Sequence, residues 1–268
     1  MQFDTTPHVY KATYDGNEIK KEPLQCNGDF RSEECIDILD KSDIVVTNPP
    51  FSLFRDFVAT LIEHDKQFLI IGNINALAYA NVFELFMKNK IRTGYTHFNT
   101  GMCFLVPNGY QYAKEINGQH FARVSTSCWF TSLPKYEQKK LKLVKRFDKN
   151  MYPRYHNYDA INVKNINEIP MDYNGIMGIP ITFLDKYNPS QFELLGMSSR
   201  HHSSLIPRLH PNEFYNGYTR GKVKTNIDSY MPLMDSSQYG GTVCKKENCP
   251  DLYQLYFRVF IKNRHHNE

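Results

Sequence analysis

The chain has 268 residues, 41% of them hydrophobic and 22% charged, which is ordinary globular usage and excludes a disordered or fibrous chain. Its apolar runs, such as Phe68-Leu69-Ile70-Ile71, fall far short of the roughly 20 residues of a membrane span. The start lacks the pattern of a signal peptide and six cysteines are too few for a disulfide scaffold, so the expectation is a soluble cytoplasmic protein with no membrane partner. The net charge of +4 is unevenly spread. Residues 1–134 carry 12 Lys and Arg against 15 Asp and Glu, a net of −3, whereas residues 135–268 carry 20 against 13, a net of +7. With 18 Tyr and 18 Phe in addition, this split fits a catalytic half joined to a basic half that grips nucleic acid, against the simpler alternative of an ordinary basic surface.

In chain order, Tyr14-Asp15-Gly16-Asn17 predicts a tight turn between two short strands. Ser32 to Lys41 reads as a short helix with Ser32 as N-cap and Cys35, Ile36 and Leu39 at helical spacing. The β-branched run Asp43-Ile44-Val45-Val46-Thr47 shows no alternation, as expected of a strand buried on both faces of a parallel sheet. Leu53 to His64 is amphipathic, with Leu53, Phe54, Phe57, Val58, Leu61 and Ile62 on one stripe. Lys66 to Gly72 predicts a second buried strand, residues 80–89 a helix, and Met102–Val106 and Ser127–Thr131 further strands. This rhythm indicates βαβ units in a doubly wound parallel sheet. Beyond Leu133 the texture changes: Lys135 to Lys149 holds seven basic residues, and Tyr152 to Tyr158 interleaves aromatics with Arg154 and His156. Residues 198–250 read as irregular loops, and Leu255–Ile261 as a closing strand.

The tetrad Asn48-Pro49-Pro50-Phe51 lies at the carboxyl end of a predicted strand, where open α/β sheets bind ligands. An exocyclic adenine amine is a poor nucleophile because its lone pair is delocalised into the ring. Two acceptors aimed at its two hydrogens, the Asn48 side-chain oxygen and the Pro49 carbonyl, would draw the nitrogen toward tetrahedral geometry. Pro49 and Pro50 fix φ and remove competing N–H donors, and Phe51 offers a flat face to an extruded base. The competing reading is a plain strand-to-helix turn.

At this point the chain resembles the EcoRI-type adenine-specific DNA methyltransferases. The resemblance rests on Asp29-Phe30-Arg31-Ser32, on Ser42 to Arg55 around the tetrad, on Lys66 to Ile71, on Tyr158 to Val163, and on Asp172 to Leu184. It runs from about residue 22 to about residue 195 and resumes at Tyr256–Asn263. It implies a class I (Rossmann-like) α/β fold that uses S-adenosylmethionine and transfers its methyl group to adenine N6 in double-stranded DNA. The transfer would be direct, with no metal and no covalent protein intermediate, in a restriction-modification setting. Asn48, Pro49, Pro50 and Phe51 would take the catalytic roles. Asp29, with Phe30, would hold the cofactor's adenine; a helix-capping Asp29 is the alternative.

The resemblance also implies a segment upstream of Gly28 that carries the first strand and a cofactor loop, and the 27 residues before Gly28 supply neither. The expectation is therefore an N-terminally shortened methyltransferase with an open edge on the Asp43–Thr47 strand, either completed by a separate polypeptide or weak alone. The alternative function is a non-catalytic DNA-binding remnant. Residues 1–134 would form the catalytic core, and residues 135–268 the DNA-binding and target-recognition region with closing strands of the core. Lys139, Lys140, Lys142, Lys145, Arg146 and Arg154 are the candidate phosphate contacts, against a solvated basic helix face. Trp129 is a candidate base clamp but fits core packing better. Cys244 and Cys249, with His201, His202 and His210 upstream, lack the paired spacing of a zinc site.

Overall fold

The computed structural model describes residues 9–94, 101–134, 139–198, 206–207 and 255–264, together with the backbone of four short strands between positions 215 and 254. Strands β1 (Tyr10–Tyr14) and β2 (Ile19–Pro23) pair antiparallel around the expected turn. In that turn the Asp15 carboxylate accepts the Asn17 and Glu18 amides. Helix α1 (Glu33–Asp40) starts at Ser32, whose hydroxyl accepts the Cys35 amide at 3.4 Å, and none of its residues is fully buried.

Strand β3 (Ile44–Thr47) leads through a 3-10 turn, Phe51–Leu53, into α2 (Phe54–Glu63) and then β4 (Gln67–Asn73). β3 and β4 are parallel, with Thr47 opposite Ile70, so this is one right-sized βαβ unit. After β4 come a 3-10 turn (Ile74–Ala78), α3 (Ala80–Met87) and the short β5 (Arg92–Thr93). Met102–Val106 (β6), Lys114–Ile116 (β7) and Gln119–Val124 (β8) form a separate antiparallel sheet in the order β6-β8-β7. β9 (Ser127–Thr131) then returns to the first sheet between β4 and β5, antiparallel to both.

The order of that sheet is β3-β4-β9-β5. Two expectations are corrected here. The sheet is mixed rather than wholly parallel, because β9 enters at the end where β4 leaves, with Ser127 opposite Asn73. Nor is β3 buried on both faces: it is the outer strand, with Ile44 49% and Val46 67% exposed, and among the described residues it pairs only with β4. An unalternating β-branched run gives the same pattern for an edge strand as for a central one.

The second half builds a four-stranded sheet from β10 (Ile161–Asn162), β11 (Met177–Pro180), β12 (Phe192–Met197) and β17 (Arg258–Asn263), in the order β10-β11-β17-β12. The closing strand thus lies inside this sheet, with Val259, Phe260 and Ile261 buried. Between β12 and β17 run β13 (Tyr215–Tyr218), β14 (Lys224–Ile227), β15 (Leu233–Asp235) and β16 (Leu252–Gln254), paired β13 with β14 and β15 with β16. One apolar cluster runs through both halves, joining Phe54, Phe68, Phe83 and Phe130 to Ile179, Phe183 and Phe192.

Gly72 on β4 is dictated by that packing. A Cβ there would stand 2.5 Å from the Phe54 ring and 2.8 Å from that of Phe130, and these rings already sit 5.0 Å apart. Gly72→Ala is expected to cost about 1–3 kcal/mol of stability, as overpacking does, and urea denaturation measures it.

Candidate active site

β3 and β4 are parallel and in register, so their carboxyl ends open on one edge of the sheet. Asn48 follows β3 there and Asn73 ends β4. In the tetrad, Pro49 is buried while Asn48 and Pro50 are exposed. Pro50 has φ −62° and ψ 123°, and its carbonyl accepts the Leu53 amide at 3.0 Å to start the 3-10 turn. Among the described residues, neither the Asn48 side chain nor the Pro49 carbonyl is engaged in a hydrogen bond. The loop therefore keeps two acceptors available at the sheet edge, with Phe51 beside them and 41% exposed.

A cleft lies on each side of the tetrad. The first, about 360 Å³, is lined by Asn27, Gly28, Asp29 and Phe30 on one wall and by Thr47, Asn48, Pro49, Pro50, Leu53 and Phe57 on the other. The second, about 280 Å³, is lined by Phe51, Ser52, Phe54, Asn73, Asn75, Ala76 and Tyr79. Asp29 and Phe30, placed by sequence in a cofactor role, are thus brought against the tetrad. Gly28 supports that wall through φ +78°, and a Cβ on it would meet the Val9 side chain at 2.8 Å. The Phe30 ring stands edge-on to Phe57 at 5.0 Å.

Asp29 does not cap α1, since Ser32 fills that position. The Asp29 carboxylate accepts the Arg31 amide at 2.9 Å and is gripped by the Arg31 guanidinium at 2.9 and 2.7 Å. The Arg31 side-chain hydrogen bond is the main reason that the carboxyl is held down at about 2, below its ordinary 3.8. A carboxyl lowered on folding stabilises the folded state above its unfolded value, and that contribution is lost as pH falls from near 3.8 through about 2. Because the Asp29 side chain is only half-buried and its partner Arg31 is exposed, solvent screens the pair and the effect on stability is small. Removing the guanidinium in Arg31→Ala is expected to return the Asp29 carboxyl toward 3.8, which carbon-detected NMR titration reads directly.

Sequence reasoning missed the second cleft. Asn73 and Asn75 follow a strand whose carboxyl end was predicted, which was the available signal. Tyr79, 37% exposed with the Arg55 guanidinium 5.5 Å from its ring centre, carried none. Trp129 lies on β9 opposite Ile71, its Cβ close against Gly94, and lines neither cleft.

The basic segment is not helical among its described residues. Residues 139–147 have no regular secondary structure beyond one bridge from Lys145 to Pro170, with Leu141 and Leu143 packed on the core and Leu141 clamped by Gln191 at 2.7 and 2.8 Å. Lys139, Lys140, Lys142, Lys145 and Arg146 are exposed along this ribbon. Arg154 differs, because its guanidinium is paired with Asp159. The interleaved aromatics prove to be core: Tyr152, Tyr155 and Tyr158 are at most 4% exposed, and the Tyr155 hydroxyl donates to Asn162 at 2.8 Å. They offer no stacking surface. Lys135, Cys244, Cys249, His201, His202 and His210 lie outside the described residues.

Residues 4–264 match the family of the adenine-specific methyltransferase EcoRI. The chain belongs to that family. It is 43% identical over 259 residues to the type II methyltransferase M.MgeORF184P of Mycoplasma genitalium, covering 92% of this chain and 78% of that protein. To M.EcoRI of Escherichia coli it is 49% identical over 178 residues, 63% of this chain and 54% of that one. To M.MpnI of Mycoplasma pneumoniae it is 43% identical over 215 residues, 76% and 67% of the two chains. No solved structure matches. The chain is an adenine-specific methyltransferase, and no helix among its described residues is long and apolar enough to cross a membrane.

Proposed function

We propose that this methyltransferase acts on N6 of an adenine extruded from double-stranded DNA, with S-adenosylmethionine as methyl donor, and serves as the modification partner of a type II restriction system in the cytoplasm. The observation that carries the reading is the Asn48–Phe51 loop, which stands between two clefts with the Asn48 side chain and the Pro49 carbonyl unengaged among the described residues. The sheet would be the Rossmann-like half of a class I methyltransferase, with residues 1–134 as catalytic core and 135–268 adding target recognition.

The first cleft fits the cofactor. Its volume falls within the usual range of about 300–1,000 Å³ for ligand sites, Phe30 and Phe57 supply an apolar wall, and Asp29 supplies an ionised acceptor for an adenine amine. The bound sulfonium supplies an electrophilic methyl group. The second cleft takes the target base, with Phe51 and Tyr79 as aromatic walls and the Asn73 and Asn75 amides at its edge. Asn48 Oδ1 and the Pro49 carbonyl accept the two N6 hydrogens and draw the nitrogen toward tetrahedral geometry. Because Pro49 and Pro50 cannot donate, neither adds a backbone N–H that competes for those acceptors.

The exposed ribbon Lys139–Arg146 provides phosphate contacts. Each of these residues that neutralises a phosphate adds about 0.9 to the slope of log K against log salt for duplex DNA. Replacing Lys139, Lys140 and Lys142 together by Ala is expected to weaken binding across all sequences and flatten that slope, as fluorescence anisotropy over a salt series measures. Arg154→Ala is expected to leave the slope unchanged, because Asp159 already balances its charge. The reading as a whole is tested by incubating the chain with methyl-labelled cofactor and mixed-sequence duplex DNA. Label entering the DNA, suppressed by excess S-adenosylhomocysteine, supports it. No incorporation by folded protein that binds DNA contradicts it.

A further inference from the structure

Two thiols flank the first cleft, and the mechanism uses neither. Cys26 ends the segment after β2, Cys35 lies in the first turn of α1, and their Sγ atoms are 3.8 Å apart. Both are half-buried. The chain between them contains Asn27, Gly28, Asp29 and Phe30, which form one whole wall of the cleft. Cys26 is tied to this wall and to the helix at once. Its Sγ accepts the Gly28 amide at 3.4 Å, and its own amide, with that of Gln25, donates to the Glu34 carboxylate at 3.0 Å.

We propose that Cys26 and Cys35 are a reversible disulfide site, oxidised by a small-molecule disulfide such as glutathione disulfide, and that closing the bond deforms the Asn27–Phe30 wall and weakens cofactor binding. The coupling rests on the reading of this cleft as the cofactor site. A disulfide bond is about 2.05 Å long, so the sulfurs must approach by well over 1 Å. That movement pulls Cys26 Sγ from the Gly28 amide and drags the positive-φ turn at Gly28, where space for adjustment against Val9 is already short.

The chemistry balances with one oxidant. The Cys26 thiolate attacks one sulfur of glutathione disulfide and expels one glutathione thiolate. Cys35, having given its proton to solvent, then attacks the Cys26 sulfur and expels the second. Two protein thiols are oxidised and one small disulfide is reduced to two thiols. Burial pushes the Cys35 thiol up, so the second step quickens as pH rises. Cys128 takes no part: it is buried opposite Gly72, and burial pushes its thiol up to about 12.

The test uses the full chain with Cys103, Cys244 and Cys249 changed to Ser, which leaves the pair and the buried Cys128. After equilibration in glutathione disulfide, trypsin under non-reducing conditions is expected to yield one species joining peptide 22–31 to peptide 32–41. Calorimetric titration with S-adenosylmethionine is expected to show affinity lower by at least about tenfold in the oxidised form, given the sensitivity of bound geometry to displacements near 1 Å, and restored by dithiothreitol. The same protein with Cys26 and Cys35 both changed to Ser can form neither the mixed nor the internal disulfide, and is expected to bind equally before and after the treatment. Absence of the joined peptides overturns the disulfide, and joined peptides with unchanged affinity overturn the coupling. If the reduced protein does not bind the cofactor, the cofactor reading fails and the coupling with it, while the peptide map still decides the disulfide.

Discussion

Asn48→Ala is expected to lower methyl transfer by about 100- to 1,000-fold, the usual loss when one preorganised polar contact to the reacting atoms is removed. The side chain is exposed at the end of β3 and bonded to nothing among the described residues, so its truncation leaves the fold intact. Cofactor affinity should change little, because the first cleft keeps Asp29, Phe30 and Phe57. Single-turnover transfer with pre-bound DNA separates the two effects: the loss belongs in the transfer rate. A loss confined to cofactor affinity would restrict Asn48 to the wall of the first cleft, which it already lines, and leave the amine without its second acceptor.

The second large effect is at Asp29. Asp29→Ala is expected to weaken S-adenosylmethionine binding by about 10- to 100-fold, corresponding to the 1.5–3 kcal/mol of a hydrogen bond to a charged group. The same change also removes the partner of Arg31 and the acceptor of its amide. Arg31→Ala separates these contributions. It keeps the carboxylate, which stays ionised at neutral pH even at its ordinary 3.8, so cofactor affinity should fall far less than in Asp29→Ala. Equal losses in the two variants would show that the ion pair shapes the loop and that the carboxylate does not touch the cofactor. Isothermal calorimetry of both variants at neutral pH decides the matter.

The βαβ unit that positions the tetrad was legible in the sequence, because a β-branched run, a single apolar stripe and a second apolar run each match one element: β3, α2 and β4. Ser32 as N-cap was legible for the same local reason, since its hydroxyl can satisfy an amide that the first helical turn leaves free. Strand direction was not. Nothing in Ser127-Cys128-Trp129-Phe130-Thr131 distinguishes a parallel strand from the antiparallel β9, since direction is set by where the connection re-enters the sheet. The exposure of Val46 was hidden likewise, because an edge strand and a central strand share composition when one face is apolar. Tyr152, Tyr155 and Tyr158 misled for another reason. Their alternation with Arg154 and His156 suggests a stacking surface, but the rings fill the core around β10, and of the polar residues between them only Arg154 is exposed, Asn157 being buried with the rings.

The site divides in the same way. The position of Asn48 to Phe51 at the end of β3 was readable because the tetrad and its flanking elements are local in sequence, whereas the role proposed for Asp29 came from the family resemblance. The cleft of Asn73, Asn75 and Tyr79 depends on β4 ending beside β3, which is a tertiary fact.

The most direct measurement is the identity of the product nucleoside. Duplex DNA lacking prior methylation is incubated with the chain and S-adenosylmethionine, digested to nucleosides and analysed by mass spectrometry. The expected product is N6-methyldeoxyadenosine, formed by the wild-type chain and reduced to near background by Asn48→Ala. A methylated cytosine, or N6-methyladenine formed equally well by Asn48→Ala, would contradict it.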